Sequence, residues 1–421
     1  MPHVRPPPEW GVEPVPKDKK ILSFLDLFVF WTSLAVGLLV LQAGASLTQD
    51  LGLSFGSIIV VTLLGSFVGS LILALVGLIG SRYGVPTMVS LRPSFGLKGS
   101  YLPTILNVVQ LVGWTTFELI IMGEAATTIT GDIFGSMTRP IMISFFALWC
   151  YLLMIYGPLL VTRQWLEKIA IWISTITTLW ITYLVFTKPI VWEMGSVDMG
   201  KLLIAFDLVI AMPISWMPLI SDYNRFAKND RHGFAGTLFG YIIANSWFYL
   251  VGAGLWLTSG GNSIVYSIAL LALGNFALIA LLVDETDNGF ADIYSATVSL
   301  QNIIPKIRQW KLGLAITLAS LVIAFTIHIG EYLNFLLLIG ASFVPVFGVV
   351  FADFFLVNKG RYDLASFYST KSAVNMAAIT SWLLGFISYY FFAYIFVIGG
   401  TLPALAIAFI SYVLLKSTER K

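Results

Sequence analysis

Apolar stretches of about 20 residues follow one another along almost the whole of this chain, and no other feature limits its fold so tightly. An α-helix rises 1.5 Å per residue, so about 20 residues cross the roughly 30 Å of hydrocarbon in a bilayer. Twelve such stretches fall near 24–47, 54–80, 102–130, 140–160, 165–187, 202–221, 235–258, 273–300, 312–327, 332–356, 372–396 and 399–416. The pattern predicts an all-α polytopic membrane protein with twelve transmembrane helices, and a weaker amphipathic piece near 262–272 is expected on the surface before the eighth. Only 11% of the residues are charged, against roughly 25% in an average soluble domain, which excludes a soluble globular protein.

Charge placement orients the chain. Threading twelve spans from a cytoplasmic N-terminus puts 21 of the 24 Lys and Arg residues on the cytoplasmic side and only Arg139, Lys188 and Lys201 outside. Losing or adding one span would scramble this bias, so both termini are expected in the cytoplasm of a multi-pass protein. Residues 1–20 are Pro-rich and charged, show no cleavable signal peptide, and read as a disordered cytoplasmic tail. Cys150 is the only cysteine and His3, His232 and His328 are scattered, so no internal disulfide and no metal cluster are expected.

The interior of the spans contains acids and no bases. Glu118, Glu124, Asp207, Asp284, Glu285, Asp287 and Asp292 all fall within apolar stretches. A carboxylate at mid-bilayer costs on the order of 3 kcal/mol, so each needs a proton, a cation, a substrate or protein donors. Glu124 and Asp207 lie near span ends, where a helix terminus or a proton suffices. The eighth span is different. In V-D-E-T-D-N-G-F-A-D-I-Y-S-A-T-V-S, residues 283–299, Asp284, Asp287, Asn288, Asp292, Ser295 and Ser299 share one helical arc with Glu285 at its edge. That face cannot touch lipid, and a water-filled or cation-occupied cavity is the cheaper arrangement.

The third span carries a second polar stripe, Asn107, Gln110, Trp114 and Glu118, at i, i+3, i+7 and i+11. A Trp among amide and carboxylate groups suits a flat, hydrogen-bonding ligand, and equally suits polar bridges between packed helices. Two spans look broken. The sixth contains A-M-P-I-S-W-M-P-L-I-S-D with Pro213 and Pro218, and the first contains Gly37, Gln42 and Gly44. If the first ten spans form two five-helix repeats, spans one and six are equivalent, and matched broken helices point to a transporter binding site.

The loop R-P-S-F-G-L-K-G-S-Y-L-P at 92–103 and V-G-W at 112–114 resemble the nucleobase:cation symporter family of purine, cytosine, hydantoin and allantoin permeases. S-D-Y-N-R-F at 221–226, V-P-V-F-G-V-V-F-A-D at 344–353 and N-K-G-R-Y at 358–362 continue the resemblance in order. L-N-V-V-Q-L-V-G-W-T and M-P-I-S-W-M-P-L-I-S-D-Y look closest to the branch assigned to hydroxymethylpyrimidine, the thiamine precursor.

The resemblance implies the five-plus-five inverted repeat of sodium-coupled amino-acid transporters with two extra C-terminal helices. Residues 21–356 then form the ten-helix transport core, and 357–421 a cytoplasmic loop, the two additional helices and a short tail. It implies a heterocycle stacked between aromatic residues of spans three and six: Trp114, and Trp216 in place of the family's aromatic, since Pro213 occupies that position. Gln42, Gln110, Glu118, Ser215, Asn288 and Asp292 complete the implied substrate set. Thr286 and Asp287, with first-span carbonyls at Ala35 and Leu38, form the implied sodium site, where Asp287 replaces a hydroxyl. Many family members carry Gln where this chain has Glu118; an ionised Glu only accepts hydrogen bonds, which suits an exocyclic amino group.

The function implied is import of a pyrimidine-type heterocycle, hydroxymethylpyrimidine-like or cytosine-like, by a secondary active transporter of the plasma membrane, with sodium as coupling ion. The alternative is a proton-coupled purine, allantoin or hydantoin permease. No cofactor, nucleic acid or obligatory protein partner is implied; the substrate and the bilayer are the partners. A membrane-embedded enzyme would need a catalytic constellation, and the chain has no H-E-x-x-H, no nucleophile elbow and no Cys with a matching His. A channel needs no closed, aromatic-lined pocket.

Overall fold

The computed structural model describes residues 10–157, 171–192, 198–369 and 373–419. Among the described residues every regular element is helical, apart from an isolated bridge between Leu22 and Ala227. Within the described residues each of the twelve apolar stretches is mainly helical; 158–160, 165–170 and 372 lie outside the described residues. Eight form helices long and apolar enough to cross a membrane, and Phe24–Ser33 with Leu38–Gln49 adds a bent pair at 57°. Trp172–Phe186 and Gln309–Ala324 are shorter apolar helices. Gly274–Gln301, the eighth span, is 28 residues long and carries its acids at the centre. Ile264–Ala269 is the short piece expected before it.

The first span breaks over residues 34–37, and its second half starts after Gly37. Gln42 and Gly44, expected to loosen this span, instead lie inside Leu38–Gln49. Gly44 lets the seventh span, Asp230–Ser259, approach closely, since a Cβ there would overlap the backbone of Tyr249. Small residues do this where helices pack within lipid. The sixth span runs as Met199–Ser215, turns over residues 216–219 with Pro218 inside the turn, and resumes as Ile220–Asn224. Pro218 lacks the N–H a continuous helix would use there. The two broken spans meet: Trp31 and Trp216 pack edge to face at 6.2 Å, and Trp31 Nε1 donates to Asn224 Oδ1 at 2.9 Å.

Asp207 needs no ligand. Its carboxylate accepts from the backbone N–H groups of Gly400 (2.5 Å) and Thr401 (3.2 Å), at the start of the twelfth span, Thr401–Glu419. The first N–H groups of a helix have no partner within it, and a carboxylate there also meets the positive end of the helix dipole. This contact ties the last helix to the sixth span. Glu124 lies near the C-terminal end of the third span, half-buried, with Ser263 Oγ at 3.5 Å.

The expected disordered tail is corrected for residues 10–20; residues 1–9 lie outside the described residues. Arg225, fully buried, donates to the carbonyls of Trp10 and Gly11 at 2.7 Å each. Gln309 Nε2 adds a second donor to Trp10 O at 2.9 Å, and Tyr368 OH donates to Val12 O at 2.8 Å. Val15 N donates to Gly84 O at 2.8 Å, and Lys20 Nζ donates to Ser81 O at 2.6 Å. Burial pushes the Lys20 ammonium below its usual range. The segment is a strap across the basic end of the bundle. Proline-rich sequence stays ordered here because its carbonyls meet side-chain donors.

Candidate substrate and cation site

The third span, Tyr101–Thr130, packs along the eighth, so their polar stripes face each other. Toward the basic end Asn107 Nδ2 donates to Ser299 Oγ at 2.9 Å. About three helical turns further along, the carboxyl groups of Glu118 and Glu285 lie next to each other. Gln110 and Trp114 lie between these contacts on the third span, with Asn288 and Asp292 across from them on the eighth. Trp114, Glu118, Asn288 and Asp292 are 7%, 4%, 4% and 3% exposed, so the site is closed.

Gln110 joins the third span to the sixth-span break. Its Nε2 donates to Ser215 O at 2.8 Å and to Asn107 Oδ1 at 3.2 Å, while its Oε1 meets no protein donor. The Ser215 hydroxyl turns back to Met212 O at 2.6 Å, so the backbone of Ser215 makes this contact. Trp216 follows in the turn, 8% exposed, beside Trp31.

Trp114 packs edge to face with Tyr332 (5.8 Å) and Phe335 (5.5 Å) of the tenth span, Tyr332–Phe351. Its Nε1–H meets no acceptor. Tyr332 OH donates to Leu39 O at 3.2 Å, which fastens this aromatic cover to the second half of span one. Trp114 and Trp216 share no ring contact; the chain connects them through Gln110 and the backbone of Ser215.

The first-span break meets the eighth span twice. Leu38 N donates to Glu285 Oε2 at 2.8 Å, and Asn288 Nδ2 donates to Val36 O at 3.2 Å, leaving Asn288 Oδ1 without a protein donor. Glu285, expected at the edge of the polar arc, is therefore the residue that links spans one, three and eight. Beside it, Ser33 Oγ donates to Asp284 Oδ1 (3.0 Å) and Asp287 Oδ2 (3.3 Å). Asp287 thus faces the first span, beside the break that holds Ala35 and precedes Leu38.

Thr286 departs from its expected place. Its hydroxyl donates to Val283 O at 2.7 Å, and its side chain lines an apolar groove of about 260 Å³ with Phe145, Phe146 and Trp149 of the fourth span. Consecutive helix residues point about 100° apart, so the rotation that aims Asp284 and Asp287 at Ser33 turns Thr286 toward the fourth span. Gln42 is half-buried within the second half of span one and is not drawn into the cluster. Ser33, Tyr332 and Phe335 were not legible as site residues. Ser33 sits one residue before the break, the only available signal, and the two aromatics lie in an apolar run without one.

Among the described residues no group of three or more His, Cys, Asp and Glu residues forms a metal site. Carboxylate and hydroxyl oxygens from Asp284, Asp287 and Ser33 do gather at the first-span break, and oxygen ligands suit hard cations.

Solved structures share this architecture. The chain superposes on Mhp1, a nucleobase-cation-symport-1 family transporter in a closed conformation with bromovinylhydantoin bound, with a TM-score of 0.80. Identity is 18%, and the match covers 97% of this chain and 94% of Mhp1. A sodium-coupled sialic acid symporter matches with a TM-score of 0.65 at 13% identity, covering 94% and 89% of the two chains. These likenesses show the fold, which in this chain has a broken first and sixth span. Among curated proteins, the purine-uracil permease NCS1 of Arabidopsis thaliana is 26% identical over 421 residues, covering 89% of this chain and 70% of its own. The cytosine permease of Escherichia coli is 25% identical over 359 residues, covering 80% and 79%. Residues 14–413 match the family described as permease for cytosine/purines, uracil, thiamine, allantoin, and the chain belongs to that family.

Proposed function

We propose that this transporter imports a pyrimidine-type heterocycle, hydroxymethylpyrimidine-like or cytosine-like, across the plasma membrane, coupled to sodium by alternating access. As a member of a permease family it carries substrate across a membrane and is not an enzyme. The observation that carries the reading is the buried polar cluster around Trp114. Gln110 Oε1, Trp114 Nε1 and Asn288 Oδ1 are sealed from solvent without protein partners, next to both broken spans. Buried polar groups in native proteins are nearly always hydrogen-bonded, so a set left unmet at one place is a set awaiting a ligand. Trp114 supplies the flat face on which a ring stacks, and Trp216 at the sixth-span turn is the opposite wall. Sodium is assigned to the oxygens of Asp284, Asp287 and Ser33 with the first-span backbone near Ala35 and Leu38; Thr286 is left out. The basic end of the bundle, with both termini, faces the cytoplasm.

Proton coupling is the second reading, and the pairing of Glu118 with Glu285 favours it, because two like charges buried side by side are costly and a proton removes one of them. Counterflow of labelled cytosine and hydroxymethylpyrimidine in proteoliposomes, under imposed sodium or proton gradients, decides between them. A saturable signal that follows sodium supports the proposal. A signal that follows pH alone moves the coupling to protons, and linear, non-saturable flux fits a channel.

A further inference from the structure

The sequence shows Gln110 and Asn288 only as amides, which both donate and accept. The fold removes half of that ability. Gln110 Nε2 is committed to Ser215 O and Asn107 Oδ1, and Asn288 Nδ2 to Val36 O. A backbone carbonyl can only accept, so these contacts fix which end of each amide carries the nitrogen. Flipping either amide would set oxygen against oxygen. Gln110 Oε1 and Asn288 Oδ1 are the ends left over, both sealed and without donors. Glu118 lies beside Glu285, and its Oε2 meets no protein donor. Asp292, 3% exposed, adds a carboxyl group one helical turn from Asn288 on the same face of the eighth span. Against these stands a single unmet donor, Trp114 Nε1–H.

Resting on the proposed transport of a flat heterocycle, we propose that the substrate presents more hydrogen-bond donors than acceptors. The backbone carbonyls of the two broken spans consume the amide nitrogens of Gln110 and Asn288 and leave only their oxygens for a ligand. The class this selects is an amino-substituted nitrogen heterocycle, with a ring nitrogen as the acceptor for Trp114 and exocyclic amino groups as donors. Uracil and hydantoin alternate N–H with C=O and would set carbonyls against the oxygens of Gln110, Glu118 and Asn288. Specificity is thereby tied to the two breaks. Ser215 and Val36 act through their backbones as positioning residues, so a movement of either broken span would release an amide and alter the selection.

The test is a binding series on the purified full-length protein by calorimetry. Ligands are 2,4-diaminopyrimidine, 4-amino-5-hydroxymethyl-2-methylpyrimidine, cytosine, uracil and hydantoin. The diaminopyrimidine should bind at least 100-fold tighter than uracil or hydantoin, with cytosine and the hydroxymethylpyrimidine, which carry one amino group each, between, because a site of buried polar groups rejects ligands that leave them unmet. Gln110→Met, which removes both amide functions at similar volume, should narrow the ratio about 10-fold or more. Should that variant fail to fold, the native series decides alone. Uracil or hydantoin binding as tightly as the diaminopyrimidine overturns this inference and leaves heterocycle transport standing. Binding by none of the five, or binding unchanged by Trp114→Ala, overturns the underlying functional reading instead.

Discussion

Glu118 on the third span and Glu285 on the eighth hold their carboxyl groups side by side inside the bundle. Glu285 Oε2 accepts from the Leu38 N–H at the first-span break at 2.8 Å. One side chain therefore fastens three spans, and its replacement separates two roles. Glu285→Gln can still accept from Leu38 and donate to Glu118, so thermal stability in detergent should be nearly unchanged. Glu285→Ala leaves a buried N–H and a buried carboxyl group unmet, which costs about 1–3 kcal/mol for each. Equal midpoints for the Gln and Ala variants would mean that this contact does not hold the spans.

The cation site has a test in two neighbouring residues. Asp287 faces Ser33 of the first span, whereas Thr286 faces Phe146 and Trp149 of the fourth. Sodium and substrate must tighten each other's binding by the same factor if they are coupled. Asp287→Ala should abolish that mutual effect, while Thr286→Val should preserve it within about twofold, because only a buried hydroxyl bonded to its own helix is lost. The measurement is substrate affinity with and without sodium. Loss of sodium dependence in Thr286→Val alone would restore the hydroxyl as a ligand.

Stacking on Trp114 is the third expectation. Ring stacking is worth roughly 1–3 kcal/mol per base, so Trp114→Ala should weaken substrate binding about 5- to 150-fold. Trp114→Phe should keep much of the affinity, and since it lacks the indole N–H it reports separately on the donor. The structure adds a check through the tenth span, whose Phe335 packs on Trp114 at 5.5 Å. Phe335→Leu should lower affinity less than Trp114→Ala if the ligand lies on the indole. A larger effect of Phe335→Leu would place the stacked ring elsewhere.

The spans and the polar arc of the eighth were legible in the sequence, because hydropathy and the 100° period act residue by residue. The rotation of that helix was not. Whether Thr286 or Asp284 meets the first span depends on how the eighth span packs against the third and fourth, and periodicity fixes an arc without saying which neighbour faces it. The sixth-span break follows from Pro218, and the first-span break at 34–37 ends on Gly37, one of the residues that suggested it, whereas Gln42 and Gly44 lie beyond it. Gly44 was misread because close helix packing and helix breaking use the same residue. The order of residues 10–20 was invisible for a different reason. Its contacts run between segments far apart in sequence, such as Tyr368 to Val12, and involve backbone carbonyls that every sequence has.

That strap supplies the last prediction. Arg225 lies at the end of the sixth span, Gln309 begins the ninth, and Tyr368 follows the tenth, and all three donate to carbonyls of Trp10, Gly11 or Val12. Trp10 also packs edge to face on Phe226 at 5.4 Å. The sixth and eighth spans meet beneath it, where Arg225 donates to Tyr294 OH at 2.7 Å and Tyr223 OH donates to Ala291 O at 2.8 Å. Opening the basic end of the bundle would have to part these groups and lift the strap. Hydrogen bonds to a charged donor contribute about 1.5–3 kcal/mol each, partly replaced by water at an end of the bundle. A chain lacking residues 1–13 should therefore unfold at a lower temperature and open more often at this end. Each 1.4 kcal/mol removed raises the open fraction about tenfold. A cysteine introduced at Ser299, buried against Asn107, in a Cys150→Ser background should then react with a maleimide several-fold faster in the truncated chain. Restoring the segment but replacing Trp10 with Ala keeps the carbonyls and loses only the ring contact, so it should give an intermediate rate. Identical labelling rates in the full-length and truncated chains would show that the strap rests on this end without holding it closed.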